Sequence, residues 1–215
     1  MAVEVRRIAI LGAGKLGVTL AQLALKAGYE VFVAGSQSPA KIALAVEVLT
    51  PGAKAMTAEN AVKNADVVVL ALPLGRFRNI PKAALANKLV IDAMNHWWEV
   101  DGERDLIMAA DVSSSQAVQQ FLSSSRVVKA LNHMGYHDLH DGHTPVDSPR
   151  RKAIAVAGDN AEDIETVNNL IDMLGFDPVY IGELHEGSRL EPGTNVFGAS
   201  VGADSLKRLL STNAE

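Results

Sequence analysis

Cysteine is absent from all 215 residues. That excludes disulfides, thiolate metal sites and thiol nucleophiles together, and it fits a reducing compartment, so a cytoplasmic location is expected. Aromatic residues make up only 5% of the chain, too few for the stacking platforms that grip single-stranded nucleic acid. An excess of basic charge is missing as well: 20 lysines and arginines face 25 acidic residues, for a net charge of −5. Nucleic-acid phosphates reward a basic face, so no nucleic-acid partner is expected. No hydrophobic run approaches the roughly 20 residues of a bilayer span, and no membrane partner is expected either. Arg6-Arg7 and the apolar residues after them imitate the start of a signal peptide, but Gly12, Gly14, Lys15 and Gly17 interrupt the run.

What is present is an ordinary globular composition, 48% hydrophobic and 21% charged, in a chain long enough to bury one proper core and carry a small appendage. Short runs rich in valine and isoleucine alternate with amphipathic stretches. Arg7 to Leu11 reads as a first strand, and Lys15 to Ala27 as a helix that Gly28 ends. A second strand runs from Glu30 to Gly35, then a helix from Ala40 to Leu49, which Pro51-Gly52 stops. Ala53 to Met56 is a short third strand, and Thr57 is placed to cap a turn of helix from Ala58 to Asn64. Val67 to Leu72, Leu89 to Ala93 and Val127 to Leu131 are almost wholly apolar, as strands covered on both faces should be. Between the last two come a polar loop, Met94 to Glu103, and a helical stretch near Gln116 to Leu122. Strand Ala153 to Ala157, helix Ala161 to Leu174 and strand Val179 to Ile181 complete the series. Strands alternating with helices imply an α/β fold with a doubly wound parallel sheet and right-handed crossovers. Residues 1–182 are expected to form that domain. Residues 183–215 are expected to form a small C-terminal helical segment, with a helix over Asn195 to Leu210.

One motif carries chemistry. Gly12-Ala13-Gly14-Lys15-Leu16-Gly17 follows the first strand directly and opens the first helix. Gly12 permits a tight turn, Gly14 lets the backbone approach a pyrophosphate, and Gly17 lets the helix pack closely on the sheet. The free N–H groups and the dipole of the helix N-terminus then favour the anion. Its place in the first βαβ unit makes this a Rossmann dinucleotide site. NAD-binding sites place an acid at the end of the second strand to hold the ribose 2′-hydroxyl. Here that stretch reads Ala34-Gly35-Ser36-Gln37-Ser38, with no acid, and Glu30 lies at the other end. A hydroxyl-bearing loop with Lys41 nearby suits a 2′-phosphate better, so the expected cofactor is NADP. Lys41 equally suits a solvated position on the helix.

Ligands on such sheets lie beyond the carboxyl ends of the strands. Leu72-Pro73, Ala93-Met94-Asn95 and Asn132-His133 end the fourth, fifth and sixth strands, and these loops should surround the nicotinamide. Pro73 alternatively just terminates its strand, and Asn95 and Asn132 alternatively stabilise turns. Asn132 and His133 are the candidates for substrate contact. His133, His137, His140 and His143 crowd one short segment with Asp138 and Asp141. Their spacing follows no standard metal motif, and a polar loop over the cleft, without metal, is the expectation. Trp97-Trp98 can stack on a flat ring or pack in a core or interface.

Taken with Gly35-Ser36, Leu72-Pro73, Asp92-Ala93-Met94-Asn95, Val127-Val128-Lys129-Ala130-Leu131-Asn132, Ala157-Gly158-Asp159 and Ser188-Arg189-Leu190, the glycine motif resembles a known family. It is that of the NADPH-dependent reductases of the deazaflavin coenzyme F420, together with the related ferric-reductase domain of membrane metalloreductases. The resemblance runs over nearly the whole chain. It implies hydride exchange between NADP(H) and a flat redox partner. It further implies that Ala13, Lys15, Leu16, Ser36 and Gln37 hold the NADP phosphates, while Pro73, Ala93 and Asn95 line the ribose and nicotinamide. The family often has arginine where this chain has Gln37, and the histidine-rich segment after Asn132 follows it less closely.

Direct hydride transfer needs proximity and alignment of two rings more than an acid, base or nucleophile, so no catalytic side chain is expected. The small-molecule acceptor is expected to be a deazaflavin or flavin. With so few residues beyond the sheet, its site must be shallow or shared with a second copy, and a homodimer is expected. The alternative is a sensor that binds NADP(H) without turnover, since fold and cofactor do not fix chemistry.

Overall fold

A computed structural model describes residues 4–145 and 148–212. The outermost positions of the two expected segments, 1–3 and 213–215, therefore lie outside the described residues.

The first apolar run forms strand β1 (Arg7–Leu11), whose last four residues are all buried. Helix α1 (Lys15–Lys26) follows, and the chain leaves it through Gly28 at φ +89°, a left-handed turn that glycine adopts without steric cost. Then come β2 (Glu30–Ala34), α2 (Ala43–Leu49), β3 (Lys54–Ala55) and α3 (Ala58–Asn64). The Thr57 hydroxyl accepts from the Asn60 N–H and caps α3, as the sequence suggested. Strands β4 (Val67–Leu70) and β5 (Leu89–Asp92) are buried at every position. A one-turn helix α4 (Trp98–Asp101) interrupts the expected polar loop. Helix α5 (Ser114–Phe121) starts earlier than its apolar pattern, because Ser113 and Gln116 form a reciprocal capping box.

After β6 (Arg126–Ala130) the histidine-rich segment is a helix, α6 (Tyr136–Gly142), where the sequence reading had a loop. Strand β7 (Ala153–Gly158), helix α7 (Ala161–Met173) and strand β8 (Asp177–Gly182) follow. The final helix α8 (Ala203–Ser211) is shorter than expected. Residues 195–202 are instead irregular, with Gly198 at φ +83°.

The eight strands lie in one sheet in the order β3-β2-β1-β4-β5-β6-β7-β8. The order reverses at β1, so the ends of β1, β2 and β4 open a crevice where α/β sheets take ligands. All pairs are parallel except β6 with β7, which corrects the expectation of parallel pairing throughout. A parallel neighbour needs a crossover, usually helical. Among the described residues, the one helix in this connection, α6, has seven residues and spans about 10 Å.

The sheet buries both faces. Leu20, Leu23 and Ala24 of α1, Leu139 of α6 and Val167, Leu170 and Ile171 of α7 cover one side. Ala61, Val62, Leu74, Phe77 and Val118 cover the other. The C-terminal segment closes β7 and β8 through Leu190, Val196, Leu206 and Leu210. Among the described residues no helix is long and apolar enough to cross a membrane.

Candidate dinucleotide site

The glycine turn has two closed positions and one open one. Gly12 sits at φ +132°, and a Cβ there would lie 2.0 Å from the Ala71 carbonyl oxygen. A Cβ on Gly17 would lie 1.8 Å from the Gly12 carbonyl oxygen. Both glycines are therefore demanded by the packing of strand, turn and helix. At Gly14 a Cβ would meet nothing within 4 Å. Its backbone is the part of the turn left bare, at the N-terminus of a twelve-residue helix.

Gly12, Ala13 and Gly14 line a cleft of about 710 Å³ that runs between the ends of β2 and β4. Ser36 and Gln37 line it from the β2 side, and Leu72 and Pro73 from the β4 side. The structure thus brings seven of the expected cofactor residues to one cavity. Thr57, Ala58 and Glu59, at the start of α3, also line it, and Arg76, Asn79, Ile80 and Pro81 extend the β4 wall. Arg76 was missed by the sequence reading, which sought a cation only along the second strand's loop.

The remaining expected residues lie elsewhere. Lys41 ends the 3₁₀ turn Pro39–Lys41, exposed and off the cleft lining. Leu16 packs against the core on the α1 side of the sheet. Lys15 turns away from β2: its Nζ lies 5.3 Å from the centre of the Tyr136 ring. It lines a second hollow, of about 590 Å³, between α1 and α6, with His137 and His140. Ala93 is buried in the core at 1% exposure and off the cleft lining.

Asn95 and Asn132 meet across the ends of β5 and β6. The Asn95 amide donates to the Asn132 carbonyl at 2.8 Å, and the Asn132 amide donates to Asn95 Oδ1 at 2.9 Å. Asn132 Nδ2 also donates to the Leu190 carbonyl, tying the C-terminal segment to the sheet, while its buried Oδ1 has no partner among the described residues. Leu131, just before, is held at φ +64°, a left-handed conformation costly for a branched side chain. Two positions after Leu131, His133 is buried. Its ring is fully enclosed, Nε2 accepts from the Ala155 N–H at 3.1 Å, and burial pushes its pKa down to about 4. His133 is therefore a neutral core histidine joining β6 to β7, and it does not face the cleft.

Beneath the asparagines lies a charged pair that the sequence reading assigned no role. Asp92 and Lys129 are register partners at the ends of β5 and β6. The signal was available, as opposite charges in two otherwise apolar runs. His137 and His140 are exposed on α6, and among the described residues no group of three or more metal-ligating side chains is assembled. Trp97 packs edge-on against Phe197 at 5.6 Å, while Trp98 is largely exposed.

Residues 7–96, from β1 to the loop after β5, match the profile of a family described as NADP oxidoreductase, coenzyme F420-dependent. No curated protein sequence matches the chain significantly. Among solved structures, a hypothetical protein from Sinorhizobium meliloti superposes with a TM-score of 0.80 at 24% identity, over 93% of this chain and 96% of that one. A candidate F420-dependent NADP reductase from an Arthrobacter species gives a TM-score of 0.70 at 22% identity, over 84% and 86% of the two chains. An imine reductase from Myxococcus stipitatus, solved in complex with NADP+, gives 0.61 at 19% identity. That likeness covers 86% of this chain and 58% of the imine reductase. Identities this low speak for the fold alone, and the family profile covers residues 7–96. The chain matches the F420-dependent NADP oxidoreductase family over residues 7–96, the family that its motifs resemble.

Proposed function

We propose that this chain is an NADP-dependent oxidoreductase that passes a hydride between NADP(H) and a flat redox acceptor, a deazaflavin such as coenzyme F420 or a flavin. The observation that carries the reading is the bare backbone at Gly14, between two glycines that packing demands, facing a cleft of about 710 Å³. A pyrophosphate fits that cradle, because the α1 N-terminus offers unpaired N–H groups and a favourable dipole. Ser36 and Gln37 suit the adenosine ribose, and Leu72 and Pro73 the apolar path toward the nicotinamide.

When bound, the nicotinamide supplies the hydride chemistry. The chain's own residues bind, orient and exclude water. The Asn95–Asn132 pair fixes the loop ends beyond β5 and β6. Asn132 is buried and its Oδ1 has no partner among the described residues; a place for Asn132 near the substrate is part of this reading. No proton-transfer residue is required, because ring alignment does most of the work in a direct hydride transfer.

In this reading a second copy completes the acceptor site. Exposed Trp98, Val100 and Leu106 offer apolar surface beside the Asn95 loop for such a homodimer, which light scattering on the purified protein tests. A cytoplasmic location accords with NADPH-linked reduction, and cell fractionation tests it.

The test of the function pairs two measurements. Calorimetric titration with NADPH and NADH should show tighter binding of NADPH. NADPH oxidation should then follow in the presence of a deazaflavin or flavin. Tight NADPH binding with no turnover across deazaflavin, flavin and ferric acceptors would instead identify a nucleotide sensor. A preference for NADH would overturn the cofactor assignment.

A further inference from the structure

We propose that Arg76 reads the 2′-phosphate of NADP(H), from the wall of the cleft that faces Ser36 and Gln37. The inference rests on the nucleotide reading above and deepens it. The β2 loop supplies hydroxyl and amide groups but no charge: Gly35, Ser36 and Gln37 line the cleft, and Lys41 does not. A dianionic phosphate held there by neutral groups alone would keep most of its desolvation cost. A cation must come from another element.

Two charged side chains are among the residues lining the cleft, Glu59 and Arg76. Arg76 stands in the 3₁₀ turn Leu74–Asn79, which follows β4. The sheet order places β1 between β2 and β4, so this turn and the β2 loop flank the glycine motif from opposite sides. The turn is a firm platform. Leu74 and Phe77 are fully buried, and the Gly75 N–H donates to Asp101 Oδ1 at 2.9 Å. Arg76 projects from it, exposed, between those two anchors.

Its guanidinium is also uncommitted: among the described residues it makes no side-chain hydrogen bond or ion pair. The contrast is Arg78, two positions on, which donates to the Ile107 carbonyl and lies over the Phe77 ring. Arg78 is a structural arginine, whereas Arg76 keeps its planar fork of donors free for a ligand. Such a fork matches two phosphate oxygens at once. Glu59, the other charged residue of the lining, is an anion and cannot hold a phosphate.

Calorimetric binding of NADPH and NADH to the wild-type chain, Arg76→Ala, Arg76→Lys and Lys41→Ala tests this. Arg76 is exposed, so thermal unfolding of the variants should match the wild type. Arg76→Ala should weaken NADPH about tenfold to a hundredfold, the range expected for a charged hydrogen-bonded contact, and leave NADH within about twofold. Arg76→Lys should recover part of the loss, and Lys41→Ala should weaken NADPH less than Arg76→Ala does. Equal weakening of both nucleotides would show that Arg76 stacks on the shared adenine or meets the shared pyrophosphate, and would overturn the proposal. So would an undiminished NADPH preference in Arg76→Ala. A wild-type chain with no preference for NADPH sinks the NADP reading and this inference together, whereas a wild-type preference that survives the variant sinks this inference alone.

Discussion

The Lys129 ammonium lies 3.3 Å from Asp92 Oδ2, and neither side chain has any exposure to solvent. The pair is embedded in a wider set of contacts. Lys129 Nζ also donates to the Met94 carbonyl at 2.6 Å and to Ser114 Oγ at 3.4 Å. Asp92 accepts from the Met94 N–H at 2.9 Å and from the Ser115 hydroxyl at 2.6 Å. Gly187 packs directly on the lysine stem, where a Cβ would come within 3.1 Å of Lys129 Cγ. One buried cation thus joins β5, β6, the start of α5 and the turn after β8, just below the Asn95–Asn132 bridge.

A buried pair is costly to break from one side, because the partner is left charged and without its counter-ion. Lys129→Met should lower unfolding free energy by about 3–5 kcal/mol, read from the urea midpoint at constant slope. The double variant Lys129→Met with Asp92→Asn should be markedly less destabilised than the sum of the single variants, since it removes both charges. A single variant within about 0.5 kcal/mol of wild type, the scatter of surface substitutions, would mean that the pair does not hold this corner of the fold.

The three motif glycines should separate into structural and binding roles. Gly17→Ala forces a methyl to within 1.8 Å of a backbone oxygen, and the strain of such overpacking costs typically 1–3 kcal/mol or about that. Thermal unfolding should therefore shift downward. Gly14 has φ −84° and open space around it, so alanine fits there. Gly14→Ala should cost less than about 1 kcal/mol as an N-cap change, yet weaken NADPH at least about tenfold, one factor of ten being about 1.4 kcal/mol. The added methyl occupies the space into which a pyrophosphate must come. Unchanged nucleotide affinity in a well-folded Gly14→Ala protein would place the pyrophosphate somewhere other than this turn.

How much of this was legible in the sequence follows from the range of each signal. The first βαβ unit was legible because its cues are local: an apolar run, three glycines at fixed spacing and a helix that Gly28 stops. Helix α6 was not, because Leu139 is its one buried residue and a single apolar position makes no period. The antiparallel β7 did leave a cue, since no crossover helix is read before Ala153 and a parallel neighbour needs one. Arg76 was missed for a geometric reason. Its partners in the cleft, Ser36 and Gln37, are distant in sequence, and only the order of strands brings the two loops face to face. His133 looked like a cleft residue from its place at a strand end, but its ring is enclosed against Ala155 of β7, a contact between positions 22 residues apart that no local pattern announces.

The buried His133 should make stability depend on pH in a defined window. Its folded pKa is pushed down from 6.5 to about 4 by burial, so the native state favours the neutral ring. Between those two values the unfolded chain binds a proton that the folded chain refuses. The contribution is complete above pH 6.5 and is lost as pH falls toward about 4, a change of roughly 3 kcal/mol at 1.36 kcal/mol per unit. His133→Gln keeps an acceptor for the Ala155 N–H but cannot titrate. Urea unfolding of both proteins at several values between pH 7 and pH 4 isolates the effect from the carboxylates they share. The wild type should lose stability more steeply than the variant as the medium becomes acidic. Parallel profiles would show that the ring takes up its proton in the folded protein and that the core around β6 and β7 opens to admit it.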